Sequence, residues 1–177
     1  MQWLTSEHVA GAIIGGVAAS IRGRPRYTKD VDAVILADEI GWDRALASAA
    51  RYGLVPRIDD PLGFASHSRM LLLRHDESGI EVDVSLGGLP FEREAVERAS
   101  VVEVKRLRLR LSSAEDLVIM KAVARRPKDW TDIDAVLAVH PDLDLSRIRH
   151  HLREFSSVLE MPEIYDDFEK LLRRRNK

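Results

Sequence analysis

The first apolar run, Val9 to Ile14, is unbroken and stops at Gly15-Gly16, which predicts a short buried strand that turns at the glycine pair. A short helix is expected over Val17 to Ile21. After a loop punctuated by Gly23 and Pro25, the stretch Asp30 to Leu36 alternates, so that Val31, Ala33 and Ile35 share one face of a strand and Asp30 and Asp32 the other. Trp42 to Tyr52 reads as an amphipathic helix ending at Gly53, and a strand is expected at Leu54 to Arg57. Pro61 and Gly63 read as a loop. Arg69 to His75 and Ile80 to Leu86 form an antiparallel hairpin turned through Asp76 to Gly79. A helix over Phe91 to Arg98 precedes Ser100 to Leu111, whose irregular alternation predicts one strand with a bulge. From Ser113 the period becomes helical. Ser113 and Asp116 resemble a capping arrangement ahead of Leu117 to Val123, and further helices fit Trp130 to Val139, Ser146 to Phe155 and Glu163 to Arg174, separated by Pro141 and Pro162.

This order makes the chain α+β, with a strand-rich core over 1–112 and a helical region over 113–177. Its 177 residues are 45% hydrophobic, enough to bury an interior without staples. With 27 Lys plus Arg against 29 Asp plus Glu, the formal charge is -2, so any basic surface must be local. The absence of cysteine rules out disulfides and thiolate metal sites and leaves oxygen or imidazole as metal ligands. Met1 to Val9 lacks the basic segment of a signal peptide, and no apolar run is long enough to span a membrane, so a cytoplasmic protein is expected. Arg173, Arg174, Arg175 and Lys177 read as a solvated basic end. The six histidines show no zinc-ligand spacing, and His150-His151 is expected on a helix surface.

Chemistry concentrates in Ile14-Gly15-Gly16-Val17 and Arg26-Tyr27-Thr28-Lys29-Asp30-Val31-Asp32. Glycines at a strand-to-helix junction let backbone N–H groups approach phosphate oxygens, and the helix N-terminus favours negative charge there. Carboxylates two apart on a strand point to the same side, so Asp30 and Asp32 suit a shared hard cation that bridges to phosphate. Taken singly, a Gly-Gly pair is usually a turn and an Asp-x-Asp a solvated strand edge. Their combination at this separation is more specific.

That combination resembles the signature of the DNA polymerase beta-like nucleotidyltransferase superfamily, in the version seen in minimal AbiEii-type proteins associated with toxin-antitoxin systems. The resemblance is close over residues 10 to 36 and looser to about 139. It implies a nucleotidyltransferase fold with a mixed β-sheet flanked by helices, and Mg2+ held by Asp30, Asp32 and a third carboxylate on a neighbouring strand. Ile80-Glu81-Val82-Asp83-Val84 supplies that strand. Asp83 matches best, with Glu81 on the same face as the alternative. The resemblance also implies nucleotide-binding roles for Gly15, Gly16, Arg26 and Thr28. It extends to a lysine on the following helix, Lys121, and to Arg125 or Arg126, Lys128, Asp129 and Asp132. Lys121 is expected to face the triphosphate, with Asp132 pairing with it or with an arginine; Asp129 is expected as a cap.

The function implied is Mg2+-dependent transfer of a nucleoside monophosphate from a nucleoside triphosphate to a hydroxyl on tRNA, a protein or a small molecule. A cognate antitoxin or other partner protein is a further implied partner, and no membrane is involved. Two other classes compete. A non-catalytic module would keep the fold and bind a nucleotide or a partner. A metal-dependent nuclease also uses acidic strands, but the strand Glu81 to Val84 lacks the lysine such sites place beside their acids.

Overall fold

The computed structural model describes residues 2–37 and 41–175; Met1 and Lys177 lie outside them. The chain divides into two compact units, Met1–Ala18 with Tyr27–Ser113, and Ala19–Arg26 with Ala114–Lys177.

The first unit carries α1 (Gln2–Ser6), β1 (Gly11–Ile13), the start of α2 (Gly15–Arg22), β2 (Asp30–Ile35), α3 (Trp42–Ala50), β3 (Leu54–Pro56), α4 (Pro61–Ser68), β4 (Met70–His75), β5 (Glu81–Leu86), α5 (Pro90–Glu97), β6 (Ser100–Val104) and β7 (Leu107–Leu111). The strands form one mixed sheet in the order β3-β4-β5-β2-β1-β7-β6. β2 runs parallel to β5 and β1 parallel to β7; the other neighbours are antiparallel. Period-two alternation explains its two faces. Ile35, Val84, Leu86, Leu71 and Leu73 point to one side and close a core with Trp3, Leu4, Trp42, Ala45, Ala49 and Ala65 from the helices. Trp3 donates its indole N–H to Ser48 Oγ at 2.7 Å, which lets a large ring end be buried without losing a hydrogen bond. On the other side Ala12 and Val34 pack with Val96 of α5.

Three elements differ from the sequence expectation, the first being helix α1, for which the sequence pattern predicts no element. Pro61 and Gly63 belong to helix α4, because Pro61 occupies its first turn and Asp60 accepts from Gly63 N–H at 2.8 Å, the signature of a helix start. The single bulged strand over Ser100 to Leu111 is a hairpin, turned at Lys105-Arg106 with Lys105 in the left-handed region at φ 55°. No glycine marks that turn, so the alternation reads as continuous in sequence only because both strands share its period.

The second unit comprises residues 19–26 and the helices α6 (Ala114–Ala124), α7 (Pro127–Val139), α8 (Leu145–Val158) and α9 (Glu163–Arg175). α6 packs against α7, α8 and α9, and Leu117, Val118, Ile119 and Ala122 are all fully buried. A helix apolar on every side is one surrounded by its neighbours. Asp116 is buried and accepts from Arg147 Nη2 at 3.0 Å, so its carboxylate is committed to an ion pair. His151 is buried and bonded to Glu154 at 3.1 Å, whereas His150 is exposed; the expected surface placement therefore holds for one histidine of the two. No described helix is long and apolar enough to cross a membrane.

Candidate active site

In the first unit the acids lie where β2 and β5 run side by side. Asp30 stands opposite Glu81 and Asp32 opposite Asp83 in the parallel register, so four carboxylates share one face while Ala33, Ile35, Val84 and Leu86 are buried on the other. A one-residue slip would exchange the two faces, so core burial fixes the acids in place.

Each acid has a local partner. Asp32 Oδ2 accepts from Gly16 N–H at 3.2 Å, which ties the glycine turn to the strand. Gly15 has φ 60°, and a Cβ there would stand 1.8 Å from Asp32 Oδ2, so both conformation and space require glycine. Thr28 donates to Asp30 Oδ1 at 2.7 Å. Arg57, which the sequence reading did not single out, donates to Glu81 Oε2 at 2.6 Å and to Asp83 Oδ1. Its backbone N–H continues the β3–β4 ladder to Leu72 O, and that register, invisible in sequence, brings the guanidinium to the acids. Burial raises the pKa of Asp83 above the usual carboxylate range; the charges of Asp32 and Asp30 add to the rise and Arg57 opposes it.

Asp30, Asp32 and Asp83 do not close on one another to within 4.8 Å; among the described residues the group of three potential ligands this tight is His150, His151 and Glu154. The donor set nevertheless fits a hard divalent cation. It offers only oxygens, on one sheet face, where Arg57 is shared between Glu81 and Asp83.

The second unit gathers other residues of the sequence signature. Lys121 Nζ is buried and bonds to Asp129 Oδ1 at 2.9 Å and Asp132 Oδ2 at 2.7 Å. Arg26 makes a two-pronged pair with Asp132, Nε to Oδ1 at 2.7 Å and Nη2 to Oδ2 at 2.8 Å. Asp129 also accepts from Arg126, from Nε at 2.9 Å and from the backbone N–H at 3.2 Å, so it is the expected cap and an ion-pair partner as well. The ammonium expected at a triphosphate is thus committed to two carboxylates, because a cation on a buried helix needs acceptors within reach. Burial pushes Asp129 and Asp132 up, but hydrogen bonds from Lys121 and the arginines outweigh it and hold both carboxyls below their ordinary value.

A family model described as "Nucleotidyltransferase of unknown function (DUF6036)" matches residues 4–174. No curated protein matches significantly. Among solved structures, the antibiotic-resistance factor ANT(2'')-Ia in solution superposes with a TM-score of 0.60 at 15% identity, over 94% of this chain and 92% of that one. The lincomycin-bound lincosamide antibiotic adenylyltransferase LnuA gives 0.56 at 14%, over 78% and 92%. An antigenic nucleotidyltransferase-like protein from Paracoccidioides brasiliensis gives 0.54 at 18%, over 97% and 88%. At such identities the likeness is one of fold, and the fold is that of nucleotidyltransferases.

Two substitutions probe these clusters. Gly15→Ala should lower stability by about 1–3 kcal/mol through strain and the Asp32 clash, read by urea unfolding; an unchanged midpoint would show that the turn tolerates a side chain. Lys121→Ala should cost about 3–5 kcal/mol at pH 7, since it leaves two buried carboxylates underpaired. Because the folded pKa values of Asp129 and Asp132 are depressed, their stabilisation is present above the unfolded value of about 4 and is lost as pH falls through the folded values. The cost of Lys121→Ala should therefore shrink on acidification below about pH 4. Full stability with a raised KM for nucleoside triphosphate would instead place Lys121 at the nucleotide.

Proposed function

The chain belongs to the nucleotidyltransferase family whose model spans it, and from that premise we propose that it transfers a nucleoside monophosphate from an Mg2+-bound nucleoside triphosphate to an acceptor hydroxyl. The observation that carries this reading is the row of carboxylates on β2 and β5 beside a glycine turn whose Gly16 N–H bonds to Asp32. In-line phosphoryl chemistry needs little from a protein beyond positioning and charge neutralisation, and this arrangement supplies both.

Asp30, Asp32 and Asp83 would hold the cation, which when bound neutralises charge on the phosphates and on the leaving pyrophosphate. The glycine turn opens α2, so its amides favour phosphate oxygens. Asp83 has the further role of accepting the proton of the attacking hydroxyl. Its raised pKa favours that role, and Arg57 orients its carboxylate through Oδ1. Glu81 is more exposed and bonds the same arginine, and the reading assigns it the support of Arg57. Thr28 would position Asp30 through its hydroxyl, and Arg26, Lys121 and Asp132 form one ion-pair network within the second unit.

Two of the named neighbours bear on the acceptor, LnuA as a lincosamide antibiotic adenylyltransferase and ANT(2'')-Ia through its complex with adenylyl-2''-tobramycin, and they support a small hydroxylated acceptor. The AbiEii-type resemblance of residues 10–36 supports tRNA or a protein acceptor and a toxin-antitoxin setting. The test is transfer of label from each of four α-labelled nucleoside triphosphates to bulk tRNA, protein and aminoglycoside or lincosamide acceptors, with and without Mg2+. Asp30→Asn and Asp32→Asn should each abolish transfer, while the melting temperature stays equal or rises because like-charge repulsion is relieved. Asp83→Ala should keep nucleotide binding and lose transfer. Wild-type turnover in both Asn variants would remove the acid pair from catalysis, and nucleotide binding without transfer to any acceptor by the wild type would favour a binding module.

A further inference from the structure

The β6–β7 hairpin is only lightly attached to its sheet. β7 registers with β1 at a single position, Ile13 opposite Leu111, followed by the bond from Ser112 N–H to Ile13 O at 3.0 Å. The rest of β7 pairs only with β6, the last strand of the order, so residues 100–110 form a two-stranded ribbon extending past the sheet. Its base is pinned where Arg110 Nη2 donates to Val96 O at 2.7 Å. Its tip is a tight turn at Lys105-Arg106.

The charge on this ribbon is one-sided. Residues 100–111 carry Lys105, Arg106, Arg108 and Arg110 against the one acid Glu103, in a chain whose overall charge is -2. Lys105, Arg106 and Arg108 are exposed and make no side-chain hydrogen bond or ion pair among the described residues, although Glu103 stands directly opposite Arg108 in the register. Elsewhere in the chain Arg26, Arg57, Arg126, Arg147 and Arg149 are each neutralised by a carboxylate. Three cations without an ion-pair partner among the described residues fall within four residues, and the tight turn at Lys105-Arg106 brings them together. Val101 and Leu107 are 54% and 62% exposed on the same ribbon, adding apolar contact surface beside the charges.

We propose that this ribbon binds the phosphodiester backbone of a nucleic acid, whether or not that nucleic acid is the acceptor of the transfer. A linear array of phosphates matches cations spaced along a strand and its turn, and a two-stranded ribbon is narrow enough to lie along a groove. A second copy of this chain fits less well. It would bring the same positive charge to the contact, and a five-residue edge strand falls far short of the roughly 1,200 Å² a stable interface buries.

The test is fluorescence anisotropy of the wild-type chain with labelled tRNA, single-stranded RNA and DNA of one sequence, and duplex DNA, without nucleoside triphosphate. If three phosphates are neutralised, raising salt from 50 to 200 mM should weaken binding about 20-fold for single strands and about 40-fold for duplexes. A K105A/R106A/R108A variant should bind at least tenfold more weakly with a flatter salt dependence, and R106K/R108K should retain affinity. The far-UV spectrum should be unchanged throughout; Arg108→Glu alone serves if the triple variant does not fold. Comparable binding of RNA and DNA assigns the contact to the shared backbone, and a preference identifies the source. No binding by the wild type, or equal binding by the triple variant, overturns the proposal, as does a triple variant that loses only self-association in light scattering. Transfer to a small molecule without nucleic-acid binding would sink the ribbon and leave the enzyme; ribbon-dependent binding without transfer to any acceptor would do the reverse.

Discussion

Everything in the first unit is arranged around a repulsion, the row of carboxylates that the parallel β2–β5 register places on one sheet face. Neighbouring strands lie about 4.8 Å apart, so two facing carboxylates at an effective dielectric of 20 repel by about 3 kcal/mol before solvent screening. The other face holds them there. Val84, Ile35 and Leu86 are almost fully buried on it, and relieving the repulsion by slipping the register would expose that core. The Gly16 amide, the Thr28 hydroxyl and Arg57 each relieve part of the charge without closing the acids into a compact cluster. A site with residual negative charge has affinity left for a cation and the phosphates it carries.

The second unit uses the same chemical groups to the opposite end. Asp129 and Asp132 are more deeply buried than Asp83, yet their pKa values are lowered where that of Asp83 is raised. The difference is in the partners. Lys121 and two arginines surround two acids and satisfy them, whereas one arginine is shared by Glu81 and Asp83 beside two further aspartates. The first network fixes the segment carrying Arg26, and in the second a single guanidinium is shared between two acids. Both come from one sequence signature, and the cations around each set of acids tell them apart.

Sequence alone made legible whatever depends on local period. The alternation of Asp30 to Leu36 gave the face shared by Asp30 and Asp32, and the hairpin from Arg69 to Leu86 followed from its turn. Ser100 to Leu111 failed for the same reason, since a turn without glycine leaves no mark on an alternating pattern. Long-range geometry was not legible. Arg57 reaches Asp83 only through the β3–β4 and β4–β5 registers taken together. The commitment of Lys121 likewise depends on how α6 packs on α7, since an ammonium after four apolar residues has the same sequence whether it meets phosphate or carboxylate.

Arg57 also bears on the choice between transfer and hydrolysis. Nucleases that use acidic strands set a lysine beside them, and an ammonium can lose its proton in a desolvated site. The cation this sheet supplies is a guanidinium, which keeps its charge throughout the working pH range and has no lone pair with which to activate water. It is held to two carboxylates at once. Proton movement at this face would therefore fall to its carboxylates, and under the proposed reading Asp83, which burial pushes above the ordinary carboxylate value, accepts the proton of the attacking hydroxyl while Asp30 and Asp32 hold the cation. That division of labour is the one nucleotidyl transfer requires.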